Sequence, residues 1–195
     1  MNMGKIIVFM NVSLDGVMQA PARPDEDTRG GFTHGGWGAP YAAMPAAGEA
    51  MTNAGGLLLG RTTFENFYTV WPKRTDSPYS SYMDNTQKYV VSRTLKEPLP
   101  WKNSTLINGN VEEKLSKLKA EQKKDLVIMG SGELIRSLMP SNLIEEYVLL
   151  IHPLVLGEGR RLFAEGVPFT SLKLISTKTT DKGVIAATYQ TTNLK

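Results

Sequence analysis

The chain contains no cysteine. That absence excludes disulfides, thiolate metal sites and cysteine nucleophiles together. It suits a reducing compartment, so a cytoplasmic setting is expected. Histidine is nearly as scarce: His34 and His152 stand alone. Two isolated histidines form no paired ligand motif, so no metal is expected. No apolar run approaches the roughly 20 residues of a membrane helix. The N-terminal apolar run is only about seven residues long, meets Asn11, Ser13 and Asp15, and lacks a small-residue cleavage site, which argues against a signal peptide. Dense basic blocks are missing too. Net charge is +3, and Lys73-Arg74, Lys123-Lys124 and Arg160-Arg161 are the only adjacent basic pairs. A duplex-binding surface needs a denser stripe, so no nucleic-acid partner is expected. A few cations aimed at one anionic small molecule suit this balance better. There is no Walker A pattern.

What is present is a globular composition. The 195 residues are 41% hydrophobic and 21% charged, enough core for a single domain over residues 1–195. KIIVFMNVS, residues 5–13, reads as a buried strand. Residues 15–40 hold six glycines and three prolines and read as a long irregular segment of the functional kind. An Ala- and Met-rich helix is expected over residues 40–53, with Pro45 near its first turn. GGLLLG is a strand, and Thr62 or Thr63 is expected to cap the helix TFENFYTV. QKYVVS and STLING are further strands. Asn110 is placed to cap the helix VEEKLSKLKAEQKK, where Val111, Leu115 and Leu118 recur at helical spacing. DLVIMG is a fifth strand, followed by a helix around residues 135–138. LIEEYVLLIHPLVLG reads as a long strand, and Asp181-Lys182-Gly183 splits the last two runs into a hairpin. Strands and helices alternate, then strands dominate. The fold class is α/β, with a mostly parallel sheet and antiparallel C-terminal strands.

Three strand ends share one feature. GGLLLGRTT, YVVSRT and LVIMGSGEL each close an apolar strand with glycine or serine. In an open parallel sheet, ligands bind beyond the carboxyl ends of the strands. Gly130 and Gly132 would let backbone approach a pyrophosphate, while Thr62, Thr63 and Ser131 would supply hydroxyls. Arg61 and Arg93 would supply charge and paired hydrogen bonds to phosphate. A plain tight turn remains the other reading of Gly130-Ser131-Gly132, and Gly157-Glu158-Gly159 reads as a turn. Asp15 is either a proton source or a turn cap beside Gly16. Trp37 either stacks on a substrate or fills core. His34 reads either as a proton source or, by preference, as surface, and His152 as structural.

SLDG, GGW, GRTTF, VSRTL, GSGELIRSL and HPLVLGEGRRLF follow in this order over about residues 4–190. In these motifs the chain resembles the dihydrofolate reductase-like superfamily. It is most similar to the group related to the C-terminal reductase domain of the bifunctional riboflavin-biosynthesis deaminase/reductase. The zinc signature of the deaminase half needs cysteines and is not expected here. The resemblance implies a three-layer α/β/α fold, NADPH as cofactor and a small heteroaromatic or carbonyl substrate, pterin-like or phosphoribosylaminouracil-like. It implies that Gly60, Arg61, Thr62 and Thr63 hold the pyrophosphate and adenosine side, and that Ser92 and Arg93 meet the 2′-phosphate. Gly130, Ser131, Gly132, Glu133 and Leu134 should run under the pyrophosphate and nicotinamide ribose. Val12 should offer backbone to the carboxamide, and residues 15–18, ending at Met18, should begin a mobile closing loop. Folate reductases carry an acid early in the helix after that loop. Here Met44 and Pro45 stand near the place, and Glu49, the only acid in that helix, lies late, so folate reduction itself is disfavoured. Asp15 and Glu49 are the candidate catalytic acids, and Trp37 the candidate substrate wall. A homodimer paired through the C-terminal strands is expected. A nucleotide sensor without turnover and a folate reductase proper are the competing functions.

Overall fold

The computed structural model describes residues 4–41 and 54–192. Eight strands form one sheet: β1 (Ile6–Ser13), β2 (Ala54–Gly60), β3 (Lys88–Val91), β4 (Ser104–Ile107), β5 (Asp125–Met129), β6 (Glu146–His152), β7 (Ser171–Thr179) and β8 (Ile185–Thr192). Their spatial order is β4-β3-β2-β5-β1-β6-β8-β7. The first six in this order run parallel to one another. Strand β8 pairs antiparallel with β6 on one side and with β7 on the other.

The period of two along β1 explains the layers. Ile6, Val8, Met10 and Val12 point to one face and meet Leu115, Leu134, Ile135 and Leu138. Ile7 and Phe9 point to the other and meet Phe64, Met83 and Trp101. The first group of partners lies on helices α3 (Val111–Glu121) and α4 (Gly132–Leu138). On the other side, Phe64 lies on α1 (Arg61–Val70) and Met83 on α2 (Pro78–Asn85). A strand apolar on both faces needs a helix layer on each side, and the result is three layers.

Local signals mostly act as expected. Asn110 Oδ1 accepts the Glu113 N–H at 3.3 Å and caps α3. Gly183, with φ +78°, turns the β7–β8 hairpin. Three boundaries differ. Helix α1 begins at Arg61 with Gly60 as its cap residue, so neither Thr62 nor Thr63 caps it; both lie in its first turn. Helix α3 stops at Glu121, short of Lys123-Lys124. The strand expected through Gly157 stops at His152, because Pro153 has no N–H for the ladder. Of the helix expected over residues 40–53, Pro40 and Tyr41 belong to a 3₁₀ turn, Ala39–Tyr41. The rest, with Met44, Pro45 and Glu49, lies outside the described residues.

No described helix is long and apolar enough to cross a membrane. Among the described residues, no group of three or more His, Asp or Glu could hold a metal.

Candidate active site

The chain passes from β1 to β2, β3 and β4, then inserts β5 between β2 and β1. All five strands end at the same edge, which leaves a crevice beyond their carboxyl ends. A cavity of about 1160 Å³ fills it. Gly60 to Thr63, Ser92 to Thr94 and Gly130 to Leu134 all line it, as does Met18. The three strand ends singled out in the sequence therefore meet around one space.

The opening of α4 is built on backbone conformation. Gly130 has φ +63° and Ser131 φ +65°, the left-handed region that glycine enters freely and other residues rarely. A Cβ on Gly130 would sit 3.2 Å from Thr63 Cγ2, and one on Gly132 would fall on the Met18 side chain. These glycines keep the space between α1 and α4 open and bring Met18 onto the turn. Ser131 Oγ accepts the Gly60 N–H at 2.9 Å, joining the ends of β2 and β5. Gly130-Ser131-Gly132 is thus a tight turn and also part of the cavity wall.

Five arginines face the cavity: Arg29, Arg61, Arg74, Arg93 and Arg160. Four are paired. Arg29 binds Asp27, Arg61 binds Glu65 at 3.1 Å, Arg74 binds Asp76 at 2.7 Å, and Arg160 binds Glu133. Arg93 has no ion pair among the described residues. It rides on a turn held by Ser92, whose Oγ accepts the Thr94 and Leu95 N–H groups, each at 3.1 Å. Arg93 is therefore the cavity cation that a ligand need not detach from a carboxylate.

Several expected site residues lie elsewhere. Asp15 does not line the cavity. Its Oδ1 accepts from the Ser13 hydroxyl at 2.6 Å and the Leu156 N–H at 3.1 Å. Its Oδ2 accepts from the Gly157 N–H at 2.9 Å and from Arg161 at 3.3 Å. The Ser13 hydroxyl first, then the two backbone amides, hold its carboxyl down at about 2. An ionised, fully engaged carboxylate outside the cavity is a clamp, not a proton source. Val12 sits in the β1–β6 ladder opposite Ile151, with Met10 and Asn11 at the cavity instead. Trp37 is core: its Nε1–H donates to the Gln19 carbonyl at 2.7 Å, and Val17, Ala20 and Phe32 surround it. Residues 15–18 are bonded rather than loose. Met18 N–H donates to the Arg160 carbonyl at 2.9 Å, and Val17 bridges to Arg161. His152 Nε2 lies 2.9 Å from Asn11 Oδ1, and burial holds its ring down at about 4, so it is neutral at physiological pH.

Three cavity residues were not singled out in the sequence. Glu26 stood between Asp25 and Asp27 within the irregular segment 15–40 that read as functional. Its Oε2 accepts the Ala22 and Arg23 N–H groups at 2.8 and 3.3 Å. Its carbonyl accepts from Asn66 Nδ2 at 2.8 Å, which lashes residues 22–26 to α1. Burial raises the Glu26 carboxyl above its ordinary value, against the two amides. Asn66 stood in an expected helix without a role, and Tyr79 in a stretch with Pro72 and Pro78 that read as a loop, where the structure instead has helix α2.

This three-layer sheet with its carboxyl-edge crevice is the dihydrofolate reductase-like fold. It aligns over 97% of the chain with a putative riboflavin biosynthesis protein from Shewanella sp. PV-4, at TM-score 0.69, 23% identity and 99% coverage of that chain. It also aligns over 98% of the chain with dihydrofolate reductase from Enterococcus faecalis complexed with NADP(H), at TM-score 0.63, 15% identity and 99% coverage of that chain. Residues 4–186 match the RibD C-terminal domain, and the chain belongs to that family, a reductase-like family of riboflavin-pathway type. A sequence relative is the uncharacterized protein YyaP of Bacillus subtilis (strain 168), 34% identical over 137 residues, covering 68% of this chain and 72% of that one.

Proposed function

We propose that this protein is an NADPH-dependent reductase acting on a small heteroaromatic or carbonyl compound, pterin-like or phosphoribosylaminouracil-like. One observation carries the reading: the ends of β2, β3 and β5 present Gly60 to Thr63, Ser92-Arg93 and Gly130 to Leu134 to a single cavity. These residues fit a dinucleotide. The first turn of α1 has free backbone N–H donors and no side-chain cap, a setting that favours a pyrophosphate. Gly130 leaves room beside Thr63 for close approach. Arg93, without a carboxylate partner, fits the 2′-phosphate that distinguishes NADPH from NADH. When bound, the nicotinamide supplies a hydride. The chain's own work is orientation and exclusion of water. Phe9 and Met10 make the inner wall apolar, and the lashing of residues 22–26 to α1 closes one side.

A reduction also needs a proton at the substrate. Asp15 is unsuited, for the reasons above. Glu26 is the acid we assign: it lines the cavity, and burial favours its protonated form. The reading extends to a cytoplasmic homodimer. Leu174 and Ile175 on β7 and Ile185 on β8 are exposed, which supports pairing through these strands.

Titration of NADPH and NADH into the protein, with tryptophan fluorescence as readout, tests the cofactor. NADPH should bind more tightly. Arg93→Ala should remove a charge-assisted contact of about 1.5–3 kcal/mol, one to two decades of NADPH affinity, and leave NADH unchanged. A preference for NADPH that survives the substitution removes Arg93 from this role.

A further inference from the structure

Beyond the strand-end cradle, the cavity continues into a space walled by aromatic rings. Phe67 lies on α1, Trp71 on the 3₁₀ turn Trp71–Lys73 and Tyr79 on α2. The start of α2 fixes where Tyr79 stands. Ser77 Oγ accepts the Ser80 N–H at 3.2 Å, and Pro78 opens the helix, so Tyr79 is its second residue. Its ring meets Trp71 edge-on at 5.3 Å and stacks near Tyr82 at 6.3 Å. Its hydroxyl donates to Met129 Sδ at 3.7 Å.

That partner is informative. A thioether is a weak acceptor. A half-buried phenol bonded to sulfur keeps most of its donor capacity for a better acceptor, and exchanging the sulfur for an oxygen loses little. The hydroxyl also stands at a particular place. Met129 ends β5 immediately before Gly130, so the donor sits where the aromatic space opens onto the proposed cofactor cradle. Burial raises the phenol well above its ordinary value, so it remains a donor across physiological pH.

We infer that Tyr79 is the specificity-determining donor of the substrate compartment: its O–H turns from Met129 Sδ to a carbonyl oxygen on a flat ring seated against Phe67 and Trp71. This rests on the reductase reading above and adds the residue that selects among such compounds. The aromatic walls favour a planar ring. The hydroxyl favours a ring that bears a carbonyl, because a ring without one leaves the donor with only its sulfur.

The test uses calorimetry on wild type, Tyr79→Phe and Met129→Leu. NADPH is titrated first, and 5,6-diaminouracil is then titrated into the NADPH-saturated protein. The expected result is NADPH affinity within about twofold on all three, since none of these changes touches the cradle's donors. Wild type and Met129→Leu should bind the diaminouracil alike, and Tyr79→Phe should bind it about tenfold more weakly, one hydrogen bond's worth. Equal binding by Tyr79→Phe and wild type overturns the inference. So does equal loss in both variants, which would assign the effect to packing, and so does a wild-type NADPH complex that takes up no diaminouracil. Failure of wild type to bind NADPH is a different result. It overturns the reductase reading, and the inference with it.

Discussion

Ser131 Oγ accepts the Gly60 N–H at 2.9 Å. The two residues are 71 positions apart in the chain, yet this bond joins the ends of two adjacent parallel strands at the mouth of the cavity. Ser131 holds a left-handed conformation to make it, with φ +65°.

Ser131→Ala and Ser131→Gly separate the bond from the backbone. Alanine loses the hydroxyl and keeps the left-handed strain. Glycine loses the hydroxyl and relieves the strain. We expect alanine to cost about 1–2 kcal/mol in urea unfolding and glycine less. NADPH affinity should fall in both, because Gly60 loses its tie to β5.

Asp15 predicts an acid-sensitive clamp. Its folded carboxyl is held at about 2, below the ordinary 3.8. The stability it contributes is therefore complete above the ordinary value and lost as pH falls through about 2. The stability difference between wild type and Asp15→Asn should be constant near neutrality and shrink over that acidic window. Urea unfolding across the acid range checks this, and NADPH binding at neutral pH should change less than stability does.

Lys88 predicts a slope of the same sign, but at alkaline pH. It is fully buried, with its ammonium 4.1 Å from the Trp101 ring centroid and 3.0 Å from the Asp84 carbonyl. These contacts favour the charged form, but burial outweighs them and lowers the group from 10.5 to about 8. Between those values the unfolded chain binds more protons than the folded one, so this group makes stability rise with pH. In Lys88→Met that component of the slope should vanish, measured as a wild-type minus variant difference so that other groups cancel.

Glu26 predicts the alkaline limb of the activity profile. As a proton donor it must be protonated, so turnover should fall as pH rises through its raised value. Glu26→Gln keeps an oxygen for the Ala22 and Arg23 N–H groups, and the loop should hold. We expect at least about a hundredfold lower kcat, the usual scale of general acid catalysis, with that limb removed and NADPH binding intact. A variant with an unchanged pH profile excludes Glu26 as donor.

Much of the architecture was determined by the chain's local chemistry. The apolar runs around Val8, Leu58 and Ile128, the cap at Asn110, and the turn at Gly183 are set by periodicity, side-chain reach and backbone freedom, all short-range properties. The cradle was legible for the same reason. In a parallel sheet, residues just past each strand share one edge, so Gly60, Ser92 and Gly130 could be grouped before any contact was known. Glu26, Asn66 and Tyr79 belong to the other category. Their roles depend on where an irregular loop and two helices come to rest against each other, and on burial that no window of sequence contains. Asp15 makes the same point in reverse. Its neighbours in sequence suit a catalytic acid, but its partners, Leu156, Gly157 and Arg161, arrive from more than a hundred residues away and hold it ionised. Whether a carboxyl donates a proton depends on its desolvation and its distant hydrogen-bond donors, and only the tertiary structure assembles those.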